Sequence, residues 1–112
     1  MRLYVGCSGW SYSAWLDHFY PKGLEGAKYL EYYSKVFDYV EIDSSFYRIP
    51  NKLTVSRWSK ITPPEFRFTA KMPQEVTHAK RLGAGIDKSL NYLYEAMTPI
   101  KDKTLAILVQ FA

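Results

Sequence analysis

With 112 residues the chain has room for one domain, and its 47% hydrophobic and 17% aromatic content excludes a disordered polymer. The single Cys7 excludes an intramolecular disulfide and any multi-cysteine zinc or iron–sulfur site. The net charge of +4 is spread without a Lys/Arg run, which argues against a nucleic-acid-binding arm and leaves a mildly basic surface that tolerates anions.

The chain opens directly on a strand pattern, Met1-Arg2-Leu3-Tyr4-Val5, with no signal-peptide core. No apolar run approaches the roughly 20 residues of a membrane helix. A cytoplasmic location without a membrane partner is therefore expected. Four short runs read as strands: Leu3–Cys7, Tyr39–Asp43, Phe66–Lys71 and Leu105–Phe111. Amphipathic segments of helical period lie between them. The first places Ala27, Leu30, Tyr33 and Phe37 on one side. The second groups Val55, Trp58 and Ile61 and stops at Pro63-Pro64. The third groups Leu90, Leu93, Tyr94 and Met97 and is closed by Pro99. Such β-α alternation predicts parallel strands joined by right-handed crossovers.

Strand parity narrows the architecture. Leu3, Val5 and Cys7, then Val40 and Ile42, then Phe66, Phe68 and Ala70, and finally Ile107, Val109 and Phe111 form one apolar face. The opposite parity is polar, with Ser8, Glu41, Asp43, Arg67, Thr69, Lys71 and Gln110; Ala106 and Leu108 blur it in the last strand. A doubly covered parallel sheet would be apolar in both parities. One-sided polarity instead suits a barrel lumen, so the expected fold is α/β, of the TIM-like (β/α)8 barrel class, here a half barrel of about four parallel strands and three helices. A flavodoxin-like open sheet is the competing architecture. A whole barrel takes about 250 residues, and this chain stops in or just past its fourth strand. The expectation is one domain over residues 1–112 that is a fragment, or whose barrel is closed by a second copy or by a separate second-half chain.

The motif Val5-Gly6-Cys7-Ser8-Gly9-Trp10-Ser11-Tyr12, then Trp15 and Phe19-Tyr20-Pro21, resembles the opening of the YecE-like family, domain of unknown function 72. Val40-Glu41-Ile42-Asp43-Ser44-Ser45-Phe46-Tyr47-Arg48-Ile49-Pro50 continues the resemblance. Thr62-Pro63-Pro64, Phe66-Arg67-Phe68, Thr77-His78 and Leu108-Val109-Gln110-Phe111 follow in order. The resemblance implies a TIM-like barrel about twice this length with no settled activity. The chain departs from the family by ending halfway and by carrying Asp43 where Asn is more usual.

Candidate chemistry follows from the barrel rule that strand C-termini and the loops after them face the site. Glu41 and Lys71 would share the lumen as a general acid/base or anchoring pair, or as a structural ion pair. Ser8, Trp10, Asp43, Tyr47, Arg48, His78 and Gln110 would line a substrate site. Asp43 beside Glu41, with His78 in a loop, raises a divalent-metal site. Arg67 and Lys71 neutralise those acids more simply, so no metal and no cofactor are expected. Trp15, Phe19 and Tyr20 are read as packing for the long first loop, and Phe46 as core. Arg81-Leu82-Gly83-Ala84-Gly85-Ile86 reads as a flexible entry to the third helix, since a lone Gly-x-Gly is too little for a phosphate loop. Cys7 falls in the helix-facing parity and reads as buried.

The functional expectation is an enzyme, or half of one, acting on a small polar or anionic substrate at the C-terminal barrel mouth. The alternatives are a nucleic-acid or nucleotide binder, motivated by a pI near 9.1 and exposed aromatics, and a truncated remnant without independent activity.

Overall fold

The computed structural model describes residues 1–79, 83 and 85–111. Four strands form one sheet: β1 (Gly6–Ser8), β2 (Tyr39–Ile42), β3 (Arg67–Lys71) and β4 (Thr104–Leu108). Their spatial order is β1-β2-β3-β4 and every neighbouring pair is parallel. Sequential order means each crossover steps to the next strand in the same direction, as in a barrel wall. A flavodoxin-like sheet reverses direction after its first strand pair, so that competitor is excluded. The described strands and helices make half of a (β/α)8 wall.

Three helices cover one side: α1 (Tyr29–Val36), α2 (Lys52–Ile61) and α3 (Ile86–Met97). Asn51 starts α2 by accepting the Thr54 N–H on its side-chain oxygen at 2.8 Å, a standard N-cap, and Pro63-Pro64 prevents its continuation. Beneath the helices Val40, Ile42, Phe68 and Ala70 are all at most 1% exposed, packed with Leu30, Tyr33, Val55, Trp58, Leu93 and Met97. The opposite parity, Glu41, Thr69 and Lys71, remains only half-buried. Helices therefore cover the apolar face and leave the polar one open, as the alternation requires.

The differences lie at the margins. β1 pairs only from Gly6, because Leu3 and Val5 are exposed at the sheet edge and the Val5 N–H goes to Asp38 Oδ1 at 2.9 Å instead of to a strand. β4 begins at Thr104 and stops pairing at Leu108, opposite the last residue of β3. A register shift beside Phe68/Thr69 makes Leu105 the extra residue; Ile107 then faces the helices and Ala106 and Leu108 the lumen. Val109 and Phe111, expected in the apolar face, are exposed. Ala27 precedes α1 in a 3-10 turn (Gly26–Lys28) and is exposed. Tyr94 is 55% exposed because the buried face of α3 runs through Ser89, Leu93, Ala96 and Met97, one residue off its position. Pro99 lies inside a 3-10 segment (Thr98–Lys103) that continues directly from α3. Arg81, Leu82 and Ala84 of the expected helix entry lie outside the described residues. Gly85, at the N-cap of α3, has the left-handed φ of 85°.

Candidate functional site

The loop after β1 is built on Gly9, whose φ of 79° lies in the left-handed region and whose N–H donates to Glu41 O at 2.9 Å. That bond carries the β1–β2 pairing one residue past the strand and turns Trp10 over the strand ends. The Trp10 ring meets Trp58 edge-on at 5.0 Å, and its carbonyl accepts the buried Tyr20 hydroxyl at 2.5 Å. Tyr20 itself stacks on Tyr29 at 4.3 Å, and Trp10, Trp15 and Phe19 all pack against the core, Trp10 while also bordering a hollow. The exposed Tyr12 hydroxyl folds back to donate to Ser8 O. Partial burial, and then the electrostatic influence of the neighbouring Asp43, Cys7 and Glu41, raise the Tyr12 hydroxyl above its ordinary value. Trp10, Tyr12, Asp43 and Ser44 border a hollow of about 250 Å³.

The second loop begins with a 3-10 turn (Ser44–Phe46) locked by the fully buried Ser45. Its Oγ accepts the Lys71 N–H at 3.1 Å and shares its proton between Lys71 O at 2.6 Å and Ile42 O at 3.0 Å. This ties the top of β2 to the top of β3. Phe46 follows, with the Lys71 Nζ 4.6 Å from its ring centroid and the His78 ring edge-on at 5.1 Å. His78 sits in a π-helical turn (Glu75–Ala79) after β3, its Nδ1 2.7 Å from Thr77 Oγ1. Tyr47, Arg48 and His78, with Phe46 and Tyr92 of α3, border a second hollow of about 560 Å³.

The structure thus brings Trp10 and Asp43 together on one hollow, and Tyr47, Arg48 and His78 on the other. Ser8 and Glu41 lie side by side in register on the open face, next to Thr69. Lys71 stands two residues beyond Thr69 and makes no ion pair with Glu41 among the described residues; the Phe46 ring holds its ammonium instead. Arg67 does not neutralise the acids either. Its Nη1 donates backward to Pro64 O at 2.9 Å and Phe66 O at 3.0 Å. Gln110 is exposed past the end of β4 and borders neither hollow. Cys7 is half-buried against the core. No group of three or more His, Cys, Asp or Glu side chains among the described residues is placed to hold a metal ion. Nor is any described helix long and apolar enough to cross a membrane. Sequence reasoning missed Ser45 and Tyr92, and assigned Phe46 to the core when it is half-buried between Lys71 and His78. The adjacency of Phe46 to Tyr47 and Arg48 was the available signal for that residue; Ser45 offered none.

The model of the family described as protein of unknown function DUF72 matches residues 4–112. The UPF0759 protein YunF of Bacillus subtilis is 37% identical over 79 residues, which are 70% of this chain and 27% of that protein. The UPF0759 protein YecE of Escherichia coli is 31% identical over 80 residues, 71% of this chain and 27% of that protein. The match therefore spans about a quarter of the length of these curated relatives. Among solved structures, a DUF72 family protein from Thermotoga maritima superposes with a TM-score of 0.79 at 31% identity, over 97% of this chain and 44% of that one. Another from Enterococcus faecalis gives 0.65 at 31% identity, over 74% and 35% of the two chains.

Proposed function

This chain belongs to the DUF72 family, whose function is unknown, and on that premise we propose that it forms the ligand-binding mouth of a barrel enzyme acting on a small polar or anionic molecule. One observation carries the reading. Two hollows open at the C-terminal ends of β1, β2 and β3, separated by the Ser44–Phe46 turn, with Asp43 on one and Arg48 and His78 on the other. In a (β/α)8 wall this rim is where substrates bind. Glu41 and Lys71 serve as acid/base or anchoring charges on the open face. Ser8, Trp10 and Asp43 contact the part of the ligand nearest the lumen, Tyr47, Arg48 and His78 the part toward the rim, and Gln110 approaches it from beyond the end of β4. The remaining strands of the barrel come from a second copy, from a separate second-half chain, or from the rest of a longer chain.

Two considerations support charged residues that act on a ligand. The Lys71 ammonium rests on an aromatic face instead of a carboxylate, so it stays available to an anionic group. Glu41 is half-buried without a cationic partner among the described residues, so its carboxyl oxygens stay available to a donor group of a ligand. A thermal-shift screen of small polar and anionic metabolites, run on this chain and on its Glu41→Gln variant, tests the reading. A compound that stabilises the parent and not the variant, with both unliganded melting temperatures equal, is the expected result. Equal stabilisation of both proteins would remove Glu41 from the site.

A further inference from the structure

We infer that the larger hollow is a subsite for a planar aromatic ring bearing an anionic group, an inference that rests on reading the C-terminal rim as a ligand site and adds the class of ligand. Its volume of about 560 Å³ falls in the range of sites that hold a small molecule. The walls combine two kinds of group. Tyr47 and Tyr92 are 76% and 59% exposed, so two phenol rings border one cavity with most of their surface in water. Phe46 and His78, edge-on to each other at 5.1 Å, line the same hollow. Rings arranged in this way gain most from another ring, through offset or edge contacts.

The partners for an anionic group are Arg48 and His78. Arg48 is exposed, its backbone N–H bonded to Ser44 O at 3.0 Å, and its guanidinium has no ion pair among the described residues. His78 uses Nδ1 toward Thr77 at 2.7 Å, which leaves Nε2 as the ring nitrogen for a ligand. A planar guanidinium matches a carboxylate or a phosphate in two parallel hydrogen bonds. Glu75 shares the rim of the hollow. A bare anion meets none of the ring faces in the hollow, so ring contacts must supply much of the affinity. A phosphate ion alone is therefore a poor ligand, and an aromatic ring carrying the anion a good one.

The chain has only two histidines, and His18 lies exposed in the loop after β1, away from the hollow. Proton NMR of the two imidazole signals thus carries its own control. Phenyl phosphate, benzoate and inorganic phosphate are titrated into the 112-residue chain. The expected result is a saturable shift of the His78 signal with phenyl phosphate or benzoate, a silent His18, and no saturable shift with inorganic phosphate. Which of the two aromatic probes binds tighter distinguishes a phosphate from a carboxylate. Arg48→Gln should weaken binding about ten-fold and Tyr92→Leu about three- to five-fold. Both side chains are exposed, so the circular dichroism of either variant should match the parent. Equal response to inorganic phosphate, or affinity indifferent to Tyr92→Leu, overturns the inference. So does a His78 signal silent to all three probes while tryptophan emission from the Trp10 hollow still reports another ligand, an outcome that leaves the broader reading of the rim intact.

Discussion

Ser45 engages both backbone polar groups of Lys71, accepting its N–H at 3.1 Å and lying 2.6 Å from its carbonyl oxygen. The two residues are 26 positions apart, and the contact joins the turn after β2 to the last residue of β3. Everything proposed for the rim depends on this junction, because Phe46, Tyr47 and Arg48 leave it in sequence. Ser45→Ala would keep the turn's volume nearly unchanged while leaving buried polar groups without their partner. Such a loss costs about 1–3 kcal/mol. Urea unfolding should show a lower midpoint at unchanged slope, and an unaltered midpoint would mean the junction is not fastened by this hydroxyl.

Tyr33 plays the corresponding part at the other end of the sheet. Its hydroxyl accepts the Cys7 N–H at 2.6 Å and donates to Tyr39 O at 2.8 Å, bridging β1 and β2 from α1. Burial pushes the phenol well above its ordinary value of 10.0, and the same holds for Tyr20. The sign follows directly. Above pH 10 the unfolded chain loses these protons while the folded one keeps them, so stability is fully present below pH 10 and falls as pH rises further. Tyr33→Phe should lower stability by about 1–3 kcal/mol at pH 7 and flatten the decline above pH 10. Denaturant unfolding of parent and variant between pH 8 and 11 measures both effects. Parallel curves across that range would refute the burial of an ionisable Tyr33.

The parity of β2 and β3 and the helix periods were legible because they depend on neighbours within a few residues. Val40, Ile42, Phe68 and Ala70 could hardly have faced elsewhere once the chain alternated. What could not be read were choices between distant partners. Arg67 shares the polar parity with Glu41, yet its guanidinium bonds to Pro64 and Phe66 carbonyls close by in the chain. Lys71 shares that parity too, and an aromatic ring from the next loop takes its ammonium. In both cases a local or apolar partner replaced the carboxylate that charge alone would select. Trp10 and Asp43 converge because Gly9 turns the chain back over β2. Their shared hollow was foreseeable from strand order, whereas Tyr92 belongs to a helix whose inner face had been set one residue away.

Gly6 is the residue that lets β1 approach β2 beneath the Tyr33 hydroxyl. A Cβ built there would lie 1.7 Å from Tyr39 O and 2.7 Å from Tyr33 Oη. The first contact is with backbone held in the sheet, so neither side can yield cheaply. Gly6→Ala should therefore cost about 3 kcal/mol or more by overpacking and release β1 from the sheet. Hydrogen exchange would show the Cys7 and Gly9 amides losing protection before those of β3. Retained protection at both amides would contradict the close approach.

Lys103 closes the C-terminal end of α2 from far along the chain. Its Nζ donates to Ser59 O at 2.9 Å, Thr62 O at 3.1 Å and Thr62 Oγ1 at 2.9 Å, while Thr62 Oγ1 donates to Trp58 O at 2.8 Å. A cation at a helix C-terminus satisfies the carbonyls that the helix leaves open and complements its dipole. Lys103→Met, which keeps most of the apolar stem, should lower stability by about 1–2 kcal/mol at pH 7. Burial, and then the neighbouring Arg67, hold the Lys103 ammonium below its ordinary 10.5 against the opposing pull of Glu65. As pH rises through that depressed value toward 10.5, the folded chain releases its proton before the unfolded one, so the parent gains stability that the variant lacks. The difference between parent and Lys103→Met should accordingly be larger at pH 10.5 than at pH 7, opposite in direction to the effect of Tyr33. Guanidinium unfolding at the two pH values decides it: a difference that shrinks with rising pH would show that the hydrogen bonds to α2 outweigh burial in setting the charge of Lys103.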